Sequence, residues 1–324
     1  MSELPSQSPE ELGLSLDESR FGDERVILNT LEHGVARSVG DIDQFFNDIA
    51  PHRNVVELAY AKIEVIGSRG ENKLVVVSDD ETEILAVFKP DSLRSKEFRD
   101  MNELGDDYPR ERAAYFVSKH FGFDLVPPTT IRTIDNRTGS LQEFISRDEY
   151  RAGSDIARTT NEQMDMIMDS DDVKKLCILD WIIGNADRHS ANYLVNLNTD
   201  PAAKGRALIA IDNGMGFNSK FYRTKSNLSV KNEKHGGQRV PGPYVHLTFE
   251  VESNKPITTT IPEELLAQIA DGYQRMSDLD QDITGVDGIS LDEAGEMRYR
   301  IELLLDKKVF LSGNNFSFIT KDIA

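Results

Sequence analysis

Short β-branched runs fill the first half of this chain and amphipathic helical patterns the second, and that order constrains the fold more than any other feature. Lys73–Ser78 (KLVVVS) and Ile84–Phe88 (ILAVF) flank a turn-like Asp79-Asp80, and Glu57–Ile66 carries Leu58, Tyr60, Ile63 and Val65. Three antiparallel strands are therefore predicted. Pro109 opens a helix with apolar positions at Ala113, Ala114, Phe116 and Val117, and Gly122 ends it. Beyond Val126-Pro127-Pro128, Thr129–Ile134 and Ser140–Ile145 predict a hairpin around Asn136–Gly139. Asp171–Ile183 predicts a helix capped by Asp171 or Asp172, followed by strands at Tyr193–Asn196 and Ala207–Ile211. A long polar loop and helices over about 262–276 and 292–310 complete the chain. Apolar clusters between Val26 and Ile49 suggest one or two short helices, and no internal repeat is evident.

This order makes an α+β arrangement of two lobes, the first β-rich and the second helical. A cleft between such lobes is the expected place for a ligand. Residues 1–23 read as a disordered tail, polar and acidic with Pro5 and Pro9. Residues 24–146 read as an N-terminal extension with the β-rich lobe, and 147–324 as the helical lobe with its loops.

Composition narrows the class. The 324 residues are 39% hydrophobic and 8% aromatic, enough for a sizeable core. Lys and Arg total 37 against 56 Asp and Glu, a net charge of −19. Such a surface argues against wrapping nucleic acid or lying flat on an anionic membrane. Cys177 is the sole cysteine, which excludes intramolecular disulfides and Cys-rich zinc sites. No apolar run reaches the ~18 residues of a transmembrane helix, and residues 1–23 lack the apolar core of a secretory signal. A cytoplasmic protein is expected.

The densest polar cluster runs from Gly184 to Asn192 and includes Asp187, Arg188 and His189. Further on, the run ALIAI ends in Asp212-Asn213-Gly214. Acids and an Asn at loop and strand ends suit a hard cation, and Mg²⁺ takes one or two carboxylates plus waters and phosphate oxygens. The step from Asp187 to Asn192 is also the step between base and metal-binding Asn in phosphoryl-transfer loops. Asp-Asn-Gly is equally good turn chemistry. Lys89 ends an apolar strand, either as a snorkelling edge residue or as a contact for nucleotide phosphates. Glu111 lies in the first turn of the Pro109 helix, as a helix-dipole carboxylate or as the partner of Lys89. Gly67-Ser68-Arg69-Gly70 joins two predicted strands, as a plain hairpin or as a phosphate cradle.

Taken in order, these pieces resemble the phosphatidylinositol 3-/4-kinase superfamily, most closely its type II phosphatidylinositol 4-kinase branch. The matching segments are GSRG at 67–70, AVFKP at 86–90, ERAAY at 111–115, VPPT at 126–129 and GSLQEF at 139–144. LDWIIGNADRHSAN at 179–192 and AIDNGMGF at 210–217 follow. The resemblance implies a two-lobed, protein-kinase-like fold that uses ATP with Mg²⁺, or Mn²⁺ in its place. Gly67, Ser68 and Gly70 would cradle phosphates, Lys89 would hold the α- and β-phosphates, and Glu111 would fix Lys89. Gln142, Glu143, Phe144 and Ile145 would form the hinge against adenine. Asp187 would accept the proton of the acceptor hydroxyl or orient it, Arg188 and His189 would shape that loop, and Asn192 and Asp212 would bind the metal. Asp180 reads as structural.

Two features depart from the type II branch. Its palmitoylated cysteine cluster has no counterpart, because Cys177 stands alone in a helix core. The segment after Gly216 also differs, and residues 216–240 hold Lys220, Arg223, Lys225, Lys231, Lys234 and Arg239 against Glu233. That basic island is either a grip for an anionic acceptor or a solvated loop. Thr224, Ser226 and Ser229 within it are candidate autophosphorylation sites. Asp278–Asp292 resembles a calcium loop, but neither register ends in the bidentate Glu, so an acidic loop before the last helix is expected. Three functions follow: a kinase acting on protein Ser/Thr hydroxyls, itself included; a phosphoinositide kinase; or a nucleotide-binding pseudokinase or interaction protein. The first is narrowly preferred, and transfer of AMP instead of phosphate is a further possibility.

Overall fold

A computed structural model of the chain describes residues 24–38, 72–78, 83–91, 107–145, 150–153, 170–185, 188, 191–196, 207–217, 260–285 and 288–308. The chain divides into two compact units, 1–93 with 127–150 and 94–126 with 151–324. The first is β-rich and the second largely helical, as an α+β chain of this order should be. The division is not a single cut near residue 146, because the helix after Pro109 joins the second unit.

The first unit holds helix α1 (Glu24–His33) and strands β1 (Val35–Ser38), β2 (Lys73–Ser78), β3 (Glu83–Pro90), β4 (Thr129–Ile134) and β5 (Arg137–Glu143). They form one sheet of order β1-β2-β3-β5-β4, antiparallel throughout. Period-two alternation puts Ile84, Ala86, Phe88 and Leu141 on one face with Val75 and Val77, where Ile27 and Leu31 of α1 cover them. Arg132 secures the end of α1 by donating to Leu31 O at 2.8 Å and Gly34 O at 3.1 Å.

The expected strand at 57–66 lies outside the described residues. The described neighbour of β2 on that side is β1, a short strand whose sequence carries no β-branched run. The hairpin is tighter than expected. Asp135 and Asn136 sit at φ 51° and 62° with Ile134 opposite Arg137, a two-residue turn of the kind Asp and Asn tolerate.

β5 comes so close to β3 that only glycine fits at residue 139. A Cβ there would lie 2.2 Å from Lys89 O and 2.5 Å from Pro90 Cα, and backbone atoms cannot swing away. Gly139→Ala should therefore destabilise the sheet by about 1–3 kcal/mol, the cost of overpacking. Hydrogen exchange at the β3 and β5 amides should accelerate; unchanged protection would show that the two strands are not this close.

The second unit contains α2 (Asp107–His120), α3 (Asp171–Ile183), a small sheet of order β6-β7-β8, and three C-terminal helices. The strands are β6 (Tyr150–Ala152), whose first residue closes the first unit, β7 (Tyr193–Asn196) and β8 (Leu208–Ala210). Gly122 at φ 64° terminates α2, its N–H bonded to Lys119 O at 2.9 Å. α3 spans the expected residues, but its cap is Ser170, whose hydroxyl accepts the Val173 N–H at 3.4 Å. Asp172 serves elsewhere, accepting the Ala207 N–H at 2.8 Å.

The last helices are α4 (Glu263–Gln274), α5 (Met276–Ile283) and α6 (Leu291–Lys307). The acidic loop expected from Asp278 is thus helix in its first half, because Met276, Leu279 and Ile283 recur on one face and are buried. Among the described residues no helix is long and apolar enough to cross a membrane.

Candidate active site

α3 delivers its C-terminus into the loop that carries Arg188 and Asn192. Gly184 stops the helix at φ 62°, ψ 44°, and Asn185 N–H then donates to Asp180 O at 2.9 Å. The Asp180 side chain is fully buried, as is that of Arg188. Arg188 Nε donates to both carboxylate oxygens of Asp180, at 3.2 and 3.0 Å, and Nη2 donates to Oδ1 at 3.0 Å. Asn185 Nδ2 adds a fourth bond at 3.3 Å. Burial pushes the Asp180 carboxyl up, and the Arg188 guanidinium and Asn185 amide offset that rise only in part.

The rest of the guanidinium reaches across the loop. Nη1 donates to the carbonyls of Asn192 and Ile211, the latter at 2.7 Å, and Nη2 donates to Asn213 Oδ1. One buried cation thus ties together the end of α3, the start of β7 and the turn after β8. The nitrogens of Arg188 face inward to protein oxygens. Cys177, also buried in α3, has its thiol pushed well up by desolvation, which disfavours the thiolate.

The two expected metal ligands occupy one end of the β7–β8 ladder. Tyr193 pairs with Ala210, and Ile211 N–H donates to Asn192 O at 3.1 Å, which sets Asn192 beside the residue preceding Asp212. Asp212 is at φ 58°, a left-handed conformation that Asp and Asn adopt more readily than other L-residues. Asn213 N–H donates to Glu111 Oε2 at 3.0 Å, so Glu111, on the first turns of α2, grips the turn directly. The next residue must be small, since a Cβ on Gly214 would lie 2.9 Å from Asp107 Cβ at the start of α2. Asp-Asn-Gly is therefore turn chemistry, held in place from Glu111.

The side chains of Asn192 and Asp212 carry hard oxygens, one an amide and one a carboxylate. Among the described residues no group of three or more His, Cys, Asp or Glu side chains is assembled for a metal. That set suits Mg²⁺ or Mn²⁺, which complete their shell with waters and phosphate oxygens, and does not suit a structural zinc ion.

In the β-rich unit, Lys89 lies opposite Ser140 and Val87 opposite Gln142, on the sheet face away from α1. Gln142 Nε2 donates to Thr129 Oγ1 at 2.8 Å, which in turn donates to Pro127 O at 2.8 Å. The N–H groups of Glu143 and Phe144 are engaged within the unit, with Pro128 O at 3.0 Å and Leu85 O at 2.9 Å. Ile145 is buried at the end of this segment.

Gly67, Ser68, Gly70, Asp187, His189 and nearly all of the basic island at 216–240 lie outside the described residues. Asn213 was missing from the expected set, although it bonds both Glu111 and Arg188. Its signal in the sequence is adjacency to Asp212, which marks a turn but not the two partners.

Residues 137–241 match the family model described as "Phosphatidylinositol 3- and 4-kinase". That stretch includes Gln142–Ile145, Arg188, Asn192 and Asp212, and leaves out Lys89 and Glu111. No curated protein matches the chain. Among solved structures, the proinflammatory kinase CtkA of Helicobacter pylori is similar at 13% identity and a TM-score of 0.39, covering 77% of this chain and 94% of that one. The Golgi casein kinase with Mn/ADP bound is similar at 13% identity and a TM-score of 0.41, covering 94% of this chain and 90% of that one. Hydra Fam20 with sugar shares 14% identity at a TM-score of 0.38, covering 75% and 83%. Through residues 137–241, from β5 to beyond the Asp212 turn, this chain carries the phosphatidylinositol 3- and 4-kinase family pattern.

Proposed function

We propose that this chain is a cytoplasmic, ATP- and magnesium-dependent kinase that transfers the γ-phosphate to a hydroxyl, with protein Ser/Thr as the leading acceptor and its own chain among the substrates. The observation that carries the reading is the Asn192–Asp212 pair at one end of the β7–β8 ladder, within the family match. Asn192 and Asp212 would hold Mg²⁺, whose charge offsets that developing on the phosphoryl oxygens when it is bound. Lys89 would hold the α- and β-phosphates, and Glu111 would fix Lys89. Ser140 Oγ, across from Lys89, is buried with no hydrogen-bond partner among the described residues, and a nucleotide at Lys89 would supply one. Gly67, Ser68 and Gly70 would cradle phosphates, and Gln142 to Ile145 would line the adenine. Asp187 would accept or orient the acceptor proton, with Arg188 and His189 holding that loop in shape.

A phosphoinositide acceptor is the second reading. The family match favours it, with the basic island as the grip for an anionic headgroup, whereas the net charge of −19 favours a soluble acceptor. Lys89, Asp187, Asn192 and Asp212 are all present, which argues against a pseudokinase. Incubation with γ-labelled ATP and Mg²⁺, with either cell lysate or phosphatidylinositol vesicles, decides between them. Label in protein is expected. Label confined to lipid would establish the second reading, and label in neither would overturn both.

A further inference from the structure

The C-terminal helices lie beyond the family match, yet they bond to both helices that hold the Asp212 turn. Trp181 Nε1 of α3 donates to Arg300 O of α6 at 3.0 Å, and Arg300 Nε returns a bond to Ile182 O at 2.9 Å. At the end of α2, Gln268 Nε2 donates to Phe121 O at 2.6 Å, and His120 Nε2 meets Gly272 O at 2.8 Å. The start of α2 is tied by an ion pair. Arg110 Nη2 and Nε both donate to Glu293 Oε1, at 2.7 and 3.2 Å, with the two side chains 5% and 15% exposed.

Glu293 has a second task. Its Oε2 accepts the Ser290 N–H at 2.8 Å while its own N–H donates to Ser290 Oγ, the capping box that starts α6. One carboxylate therefore serves both the start of α6 and its ion pair with α2. Within five residues, the first turns of α2 then make three linked contacts. Asp107 lies under Gly214, Arg110 binds Glu293, and Glu111 binds the Asn213 N–H. Two of the three touch the very turn that α2 must hold. The Arg110–Glu293 pair anchors that stretch to something else.

The geometry points to Arg110 and Glu293 as positioning residues for the metal site. Their ion pair fixes the start of α2, so that Glu111 holds the Asn213 N–H and, with it, the left-handed backbone of Asp212. This rests on the reading of Asp212 as a metal ligand. Neither residue touches a reacting group. Their effect passes through the α2 backbone and the turn.

The test is equilibrium binding of Mn²⁺ to the full chain in the presence of ADP, read from the electron paramagnetic resonance signal of free Mn²⁺. Glu293→Gln keeps a residue able to close the capping box and removes only the charge that meets Arg110. Its Mn²⁺ affinity should fall about 10-fold, because small displacements of a site group are costly. Metal-free ADP binding and Trp181 emission should stay as in wild type, which a general loss of folded protein would not allow. The double variant Arg110→Gln/Glu293→Gln leaves no half-buried charge unpaired, so it folds even where the single variant does not. Both variants break the same pair, and their Mn²⁺ affinities should coincide. Wild-type Mn²⁺ affinity in the folded double variant would overturn the positioning role alone. Failure of the wild-type protein to bind Mn²⁺ with ADP would overturn the kinase reading, and this role with it.

Discussion

Asp180→Ala should cost the helical unit about 3–5 kcal/mol, because it strands a buried guanidinium that remains charged. Arg188 is fully buried, and Asp180 is its carboxylate partner, accepting from Nε and Nη2. With that carboxylate gone, the Asn185 Nδ2 bond to it is lost as well. The carbonyls of Asn192 and Ile211 would still accept from Nη1, but they cannot neutralise the charge. Asp180→Asn should be milder, keeping shape and hydrogen-bonding capacity while losing the charge. Trp181 is the sole tryptophan, adjacent in sequence and buried, so its emission follows this unit without a signal from the sheet. A fall in the denaturation midpoint of that signal, at unchanged slope, is the expected result. A loss below about 1 kcal/mol would place the pair among solvent-exposed ion pairs and remove Arg188 as the organiser of the loop.

How much of this was legible beforehand depended on whether the cause was local. α3 was readable to the residue because Ser170, the apolar stripe and Gly184 lie within one stretch of chain, although the capping role went to Ser170 and not to either aspartate. The β4–β5 hairpin was readable for the same reason, with its turn displaced toward Asp135-Asn136. α5 was hidden because its acids outweigh its three buried residues in any short window, and only packing decides such a segment. β1 was hidden because its partner β2 lies far along the chain.

The candidate site divides in the same way. Residue types and spacing single out Asn192 and Asp212 as oxygen donors, since a phosphoryl-transfer loop is local in sequence. The supports do not share that property. Glu111 and Asn213 are about a hundred positions apart, and Arg110 and Glu293 are farther still. Glu111 was expected to fix Lys89, and the bond to Asn213 gives it a task that no spacing encodes. Arg188 could be placed in the loop from its motif, but its ties to Asp180, Ile211 and Asn213 needed the fold.

Asp212→Asn should reduce phosphoryl transfer by at least about 10²–10³-fold, the loss typical of removing a group that stabilises transition-state charge. The choice of asparagine follows from the backbone. Alanine at φ 58° would add strain of roughly 1–2 kcal/mol, confusing a chemical loss with a structural one. Asparagine tolerates that conformation, retains an oxygen and removes only the negative charge. The Glu111 bond to the Asn213 N–H and the Arg188 bond to Asn213 Oδ1 do not involve the Asp212 side chain, so the turn should persist. The Trp181 unfolding midpoint should accordingly match wild type while γ-phosphate transfer is lost and the apparent requirement for Mg²⁺ rises steeply. Activity near the wild-type level in that folded variant would remove Asp212 from the metal site, leaving Asp-Asn-Gly as a turn held for its shape alone.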